Sequence, residues 1–321
     1  MKKLILAIFF TLSTIAQAQT VKIDGSSTVY PITEGIAEDF QKETKIKVTV
    51  GISGTGGGFK KFCRGEIDIQ NASRPILQKE MDECKAAGVN YIELPVAFDA
   101  LTVVVSHKND FVKELSVEEL KRMWEPSAQG KITNWNQINS TFPNRPLKLF
   151  GAGSDSGTFD YFTEAIVGKA KSSRGDYTAS EDDNVLVQGV ASDISGIAYF
   201  GYAYYAENSK RVKPVSIINK DGKAIEPSEQ SVMNGTYNPL SRPIMIYVNV
   251  KSLDRPEVKR FVEAYMKNAA KISKEVKYIP LPSKVYENNL KIIQNRRVGT
   301  VFGGQNKVGM TVDELISKET K

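Results

Sequence analysis

The sequence predicts an α/β protein of two domains with a ligand cleft between them. Three observations predict it: short strand patterns alternate with helical ones, two β-rich runs read as crossings between domains, and three helix starts follow glycine and small hydroxyl residues. The three starts are Gly25-Ser26-Ser27-Thr28, Ser53-Gly54-Thr55-Gly56-Gly57-Gly58 and Ser154-Asp155-Ser156-Gly157-Thr158. A helix start leaves backbone N–H groups unpaired and carries partial positive charge, so it can hold an anion, and neighbouring hydroxyls add donors. Serine and threonine are equally good helix caps without any ligand, and for each segment alone capping is the simpler reading. The three together, with an arginine nearby, favour an anion site.

In chain order, residues 21–23 read as a strand, 32–43 as a helix, 45–51 as a β-branched alternating strand and 58–64 as a helix. Residues 67–72 supply a strand and 78–87 a helix. A long apolar run over 91–105, broken near Phe98-Asp99, is the first crossing. Small helices follow at 117–124 and 135–138, a strand at 147–150, helices at 158–166 and 183–190, and a strand at 197–200. The second β-rich run, 243–250, precedes amphipathic helices at 256–268 and 285–294. The expected domains are therefore 19–101 with 245–321, and 102–244 inserted between them. Open α/β sheets bind ligands beyond the carboxyl ends of their strands, which places the ligand between the domains.

Lys2-Lys3, the apolar stretch from Leu4 to Ile15 and Ala16-Gln17-Ala18 have the form of a cleavable export signal, with cleavage expected after Ala18. That apolar stretch is shorter than the roughly 20 residues a membrane span needs, so a soluble periplasmic or secreted protein is expected, without membrane insertion. The formal net charge of +6 comes from 43 basic and 37 acidic residues, and no basic run of the nucleic-acid-binding kind occurs. Cys63 and Cys84 are the two cysteines, and an even pair in an oxidising compartment is read as a disulfide between two helices, worth about 3 kcal/mol in the loop-entropy picture.

DGSSTVYPI at 24–32, SGTGGGFKKFCRGEIDIQNASRPI at 53–76, YIELPVAFDALTVVV at 91–105, GSDSGTFDYFTEAI at 153–166 and GIAYFGYAYY at 196–205 resemble periplasmic phosphate-binding proteins, the substrate-binding components of phosphate ABC transporters. The resemblance covers nearly all of the chain beyond the leader. It implies the two-domain type II periplasmic-binding fold, inorganic phosphate held in a closed cleft by hydroxyls, backbone N–H groups and an arginine, and delivery to ABC permease subunits. Position by position, Ser27 and Thr28 match the first-loop hydroxyls, Ser53 and Thr55 flank the second loop's hydroxyl position, and Ser156, Gly157 and Thr158 match the second-domain loop. Arg74 stands where the better-known branch has an aspartate that accepts the phosphate proton, and Gly151, Ala152 and Gly153 stand where that branch has its arginine. Arg74 is therefore expected to have changed sides of the cleft and to grip the anion with its planar fork.

Phosphate at neutral pH carries a proton and sulfate does not, so a carboxylate acceptor in a dry site rejects sulfate. Asp155 is the first candidate acceptor, with orientation of Arg74 or helix capping as equal alternatives. Asp182 and Asp183 are the next candidates, although Ser180-x-x-Asp183 is also a capping box. Catalysis has little support: His107 is the one histidine, no triad or Gly-x-Ser-x-Gly elbow is evident, the glycine run lacks a following Gly-Lys-Ser/Thr, and no cluster has metal spacing. Trp124, Trp135 and the tyrosines at 199–205 read as core or interface residues. No cofactor is expected, and a monomer is. The alternatives are a binding protein for another tetraoxyanion (sulfate, molybdate or tungstate) and a phosphatase-like hydrolase.

Overall fold

The computed structural model describes residues 20–305 and 308–319, so the leader and its expected cleavage site lie outside the described residues. β1 (Thr20–Gly25) buries Val21 and Ile23, and α1 (Tyr30–Thr44) begins with Pro31 in its first turn and buries Ile32, Ile36, Ala37 and Phe40 on one face. β2 (Lys47–Val50), α2 (Gly54–Cys63), β3 (Ile69–Ala72) and α3 (Gln78–Ala86) continue the alternation. α2 begins four residues before the apolar periodicity does, because its glycine-rich first turn has no apolar side chains to show a pattern. Cys63 and Cys84 form the expected disulfide, tying α2 to α3.

β4 (Tyr91–Ser106) is one uninterrupted strand, buried along its whole length, where the sequence reading places a break near Phe98-Asp99. Asp99 does not break it because the register sets Arg242 directly opposite and the two charges pair. β5 (Glu114–Ser116), α4 (Val117–Trp124), β6 (Lys148–Ala152), α5 (Gly157–Phe162) and β7 (Thr178–Ser180) follow, and α5 runs on as a π turn over Thr163–Val167. Next come α6 (Asp183–Ser192), β8 (Gly196–Gly201), α7 (Tyr202–Glu207), β9 (Val212–Pro214), β10 (Ser216–Ile218), β11 (Ala224–Ile225) and α8 (Glu229–Met233). β12 (Ser241–Asn249), α9 (Pro256–Glu275), β13 (Ile279–Pro280), α10 (Ser283–Gln294) and α11 (Val312–Glu319) complete the described chain.

The hydrogen-bonded strand order is β2-β1-β3-β12-β4-β8-β6-β7, with β13 and β9 also on β4. The two ends of β4 serve different sheets. Residues 91–100 pair antiparallel with β12, whereas 101–105 pair with β8 and 104–106 with β9. One lobe thus carries the parallel β2-β1-β3 set with β12 along its edge, the other carries β8-β6-β7, and β4 joins them. α1 packs on α9 through the Phe40–Phe261 edge contact at 5.2 Å, while Trp124 and Trp135 lie in the core of the second lobe. Among the described residues no helix is long and apolar enough to cross a membrane.

Candidate functional site

β1, β2 and β3 end on the same side of their sheet as the starts of α1 and α2. Asp24, at the end of β1, organises this edge: its Oδ1 accepts from the Gly25 N–H and from Ser53 Oγ, both at 2.7 Å, and its Oδ2 pairs with Lys61. Ser53 is thereby committed to the loop's own structure. Ser26 Oγ accepts from the Thr28 N–H at 3.2 Å, which leaves the Thr28 hydroxyl facing the other lobe. Tyr204 and Tyr278 donate their hydroxyls to the carbonyls of Ser27 and Thr28, fixing the loop from two sides.

From the second lobe, α5 begins at Gly157 with Ser156 as its cap, its Oγ accepting from the Thr158 N–H at 3.0 Å. A β-carbon at Gly157 would fall 2.4 Å from Thr55 Oγ1 and 2.5 Å from Ser73 Oγ, so only glycine permits the two helix starts to approach this closely. Thr55 Oγ1 and Ser73 Oγ are themselves 3.1 Å apart, and Thr28 Oγ1 lies 3.1 Å from Thr158 Oγ1 across the cleft. The Gly56 N–H donates to the Asp155 carbonyl at 2.9 Å, a further bond between the lobes.

The arginine brought to these hydroxyls is Arg242, at the start of β12. Its Nη2 donates to Thr158 Oγ1 at 2.8 Å and to Thr28 Oγ1 at 3.4 Å, its Nη1 donates to the Gly157 carbonyl at 3.1 Å, and Asp99 Oδ2 accepts from Nε and Nη2. Arg74 is placed differently. Nη1 and Nη2 grip both oxygens of Glu80, Nη1 also donates to the Pro75 carbonyl, and Nε donates to Asp160 Oδ2 at 2.7 Å. Burial works against the Arg74 charge, and Glu80 and Asp160 more than offset it, raising its pKa. The fork that sequence reasoning assigns to the anion is filled by carboxylates of the protein itself.

Of the candidate acceptors, Asp155 is half exposed and its Oδ1 pairs with Lys60 at 3.1 Å on the rim. Asp182 caps α6 through the Asn184 N–H. Asp183 is buried with Oδ2 unpaired, and burial first, then the Asp99 charge, pushes its carboxyl up to about 7, while Arg242 pulls it down. The expected Ser180–Asp183 box is absent, since Asp182 takes the cap position. His107 stands exposed at the end of β4 with Nε2 on the Ser209 carbonyl. Among the described residues no group of three or more His, Cys, Asp or Glu could hold a metal ion. Sequence reasoning missed Arg242, Asp99, Ser73 and Asp160; the signal available for the first two was a pair of opposite charges, each set in an otherwise apolar strand pattern.

The PBP superfamily domain matches residues 13–274. Protein SphX of Synechococcus elongatus is 52% identical over 305 residues, 95% of this chain and 90% of its own length. The phosphate-binding protein PstS of Staphylococcus saprophyticus is 37% identical over 89% of this chain and 86% of its own. A solved structure of a putative phosphate ABC transporter substrate-binding protein from Clostridium perfringens, with bound phosphate, aligns at a TM-score of 0.69 and 26% identity, covering 82% of this chain and all of that one.

Proposed function

The chain belongs to the phosphate-binding proteins of the PBP superfamily, and from that membership we propose that it captures inorganic phosphate between its lobes and delivers it to an ABC permease. The observation that carries the proposal is the meeting of Thr28, Thr158 and Arg242 across the cleft, with Thr55, Ser73 and the start of α5 alongside. Two hydroxyls from opposite lobes and one guanidinium supply donors from several directions to a small tetrahedral anion. In a site shut off from water, each such charge-assisted bond is stronger than it would be at the surface.

The proposed lobes are 19–101 with 245–321, and 102–244. The proposed ligand contacts are Thr28, Thr55, Ser73, Ser156, Gly157, Thr158 and Arg242, with Ser27 beside them; Ser53, Arg74 and Asp155 serve as supports. Asp183 is the proposed acceptor of the phosphate proton, since it is a buried carboxylate with a free oxygen within electrostatic reach of Arg242. Export to the periplasm with cleavage after Ala18, action as a monomer and absence of catalysis complete the reading.

Titration calorimetry with phosphate, sulfate and molybdate tests it. Phosphate should bind one to one and more tightly than the other two; preference for sulfate or molybdate, or no heat with any of them, would defeat the reading. Asp183→Asn should narrow the phosphate-to-sulfate affinity ratio, because an amide can turn a donor toward a fully ionised anion. An unaltered ratio removes Asp183 from the role.

A further inference from the structure

Arg74 and Asp160 form an ion pair between lobes: the arginine follows β3 in one, and the aspartate sits in the first turn of α5 in the other. Both side chains are 1% exposed, and Arg74 Nε donates to Asp160 Oδ2 at 2.7 Å. Each partner also has an opposite charge on its own side. Arg74 holds Glu80 through two bonds of 2.8 Å, and Lys171 Nζ stands 3.6 Å from Asp160 Oδ1, the buried oxygen that accepts no hydrogen bond.

We propose that the Arg74–Asp160 pair is the latch that holds the cleft closed and sets how fast a bound anion leaves. A buried ion pair is costly to break when rupture strands a charge without a partner. Here rupture strands neither, since Arg74 keeps Glu80 and Asp160 keeps Lys171. The pair can therefore open and re-form while each lobe stays intact. Other contacts between lobes differ in kind: Lys60–Asp155 is solvent-exposed, the Gly56–Asp155 bond is between backbones, Tyr204 gives the Ser27 carbonyl a neutral hydroxyl, Thr28–Thr158 joins two hydroxyls, and the buried Arg242–Asp99 pair lies within the β12–β4 ladder that connects the lobes. Arg74–Asp160 is thus a fully desolvated charge pair placed where closure makes it and opening breaks it. The second half of the proposal, on release, rests on the anion-binding reading above; the first half does not.

The test uses the full mature chain with Asp160→Asn and, as an independent variant that keeps the charge for Glu80 but shortens the reach to Asp160, Arg74→Lys. Small-angle scattering without ligand should give a larger radius of gyration for both variants than for the wild type. Release of phosphate, followed by displacement kinetics, should be about tenfold faster or more, as expected when one partner of a buried charge pair is truncated, with the phosphate-to-sulfate affinity ratio unchanged. An unchanged radius of gyration in both variants, or an unchanged release rate, overturns the latch. A shifted phosphate-to-sulfate ratio in Asp160→Asn also overturns it, by making Asp160 a ligand contact. A wild-type protein that ignores phosphate defeats the proposed function instead, and the ligand-free scattering still decides the latch.

Discussion

Arg74 and Arg242 are both buried and both sit near an aromatic ring, Phe59 at 5.8 Å for the first and Tyr161 at 5.5 Å for the second, yet their acceptors differ. Arg74 faces two carboxylates, so its fork is filled by acceptors of the protein itself and is not offered to a further anion. Arg242 faces one carboxylate and two hydroxyls, which balances its charge and leaves polar groups that can turn toward a guest. The comparison separates two uses of a guanidinium that look alike in a sequence. What distinguishes them is the number of carboxylates within reach, which depends on residues far away in the chain.

The largest expected effect breaks the comparison on the Arg74 side. Arg74→Met leaves the buried Glu80 without a cation and Asp160 with Lys171 alone, and should cost about 3–5 kcal/mol of folding stability, read from denaturant unfolding. A loss below about 1 kcal/mol would show that the Arg74 cluster contributes no more than an exposed ion pair does. On the other side, Arg242→Lys keeps a charge for Asp99 but removes the fork, and should weaken phosphate binding by about 2–3 kcal/mol in calorimetry. Near-native affinity would show that the helix starts hold the anion without this arginine.

A further buried carboxylate, outside both clusters, gives stability a pH dependence. Glu93, within β4, accepts from Tyr247 Oη and Thr300 Oγ1 at 2.6 Å and from the Val301 N–H at 3.0 Å, and burial pushes its carboxyl from the usual 4.5 up to about 7. The folded state therefore binds a proton more tightly than the unfolded chain does. The resulting stability is fully present below pH 4.5 and is lost as pH rises through 7, a decline on the order of 1–3 kcal/mol between pH 5 and 8. Asp183 acts in the same direction. Thermal melts across this range should show the decline, and Glu93→Gln should flatten it; an equally steep curve in that variant would assign the effect to other groups. The smallest effect is at Thr158. Thr158→Val keeps the shape, removes one hydroxyl beside Arg242 and should cost about 1 kcal/mol of phosphate binding. No loss at all would move the anion away from the Thr28–Thr158 contact.

Local signals made much of this molecule readable. The helices at α1, α3, α4, α9 and α10 announce themselves through apolar periodicity, and the three glycine-hydroxyl loops stand at helix starts as the residues suggest. The short strands β5, β7, β9, β10, β11 and β13 are two or three residues each and too brief to display alternation. Around the cleft, the placement of Thr28, Thr55, Gly157 and Thr158 at helix starts was legible because a helix start has a local grammar. Arg242 was not, since nothing beside it in the chain distinguishes it; its meaning comes from β12 lying antiparallel to β4 with Asp99 opposite and α5 overhead. The surroundings of Arg74 were hidden for the same reason, as its partner Asp160 comes from another lobe.

The Cys63–Cys84 bridge closes a ring of chain that includes Ser73, Arg74 and Glu80. One wall of the cleft is therefore a covalent macrocycle, and Ser73, Arg74 and Glu80 are borne by it. Thiol–disulfide poise then becomes a determinant of ligand capture as well as of folding. A chain matured where cysteines stay reduced would carry every side chain named above and still lack the hoop that keeps several of them in register.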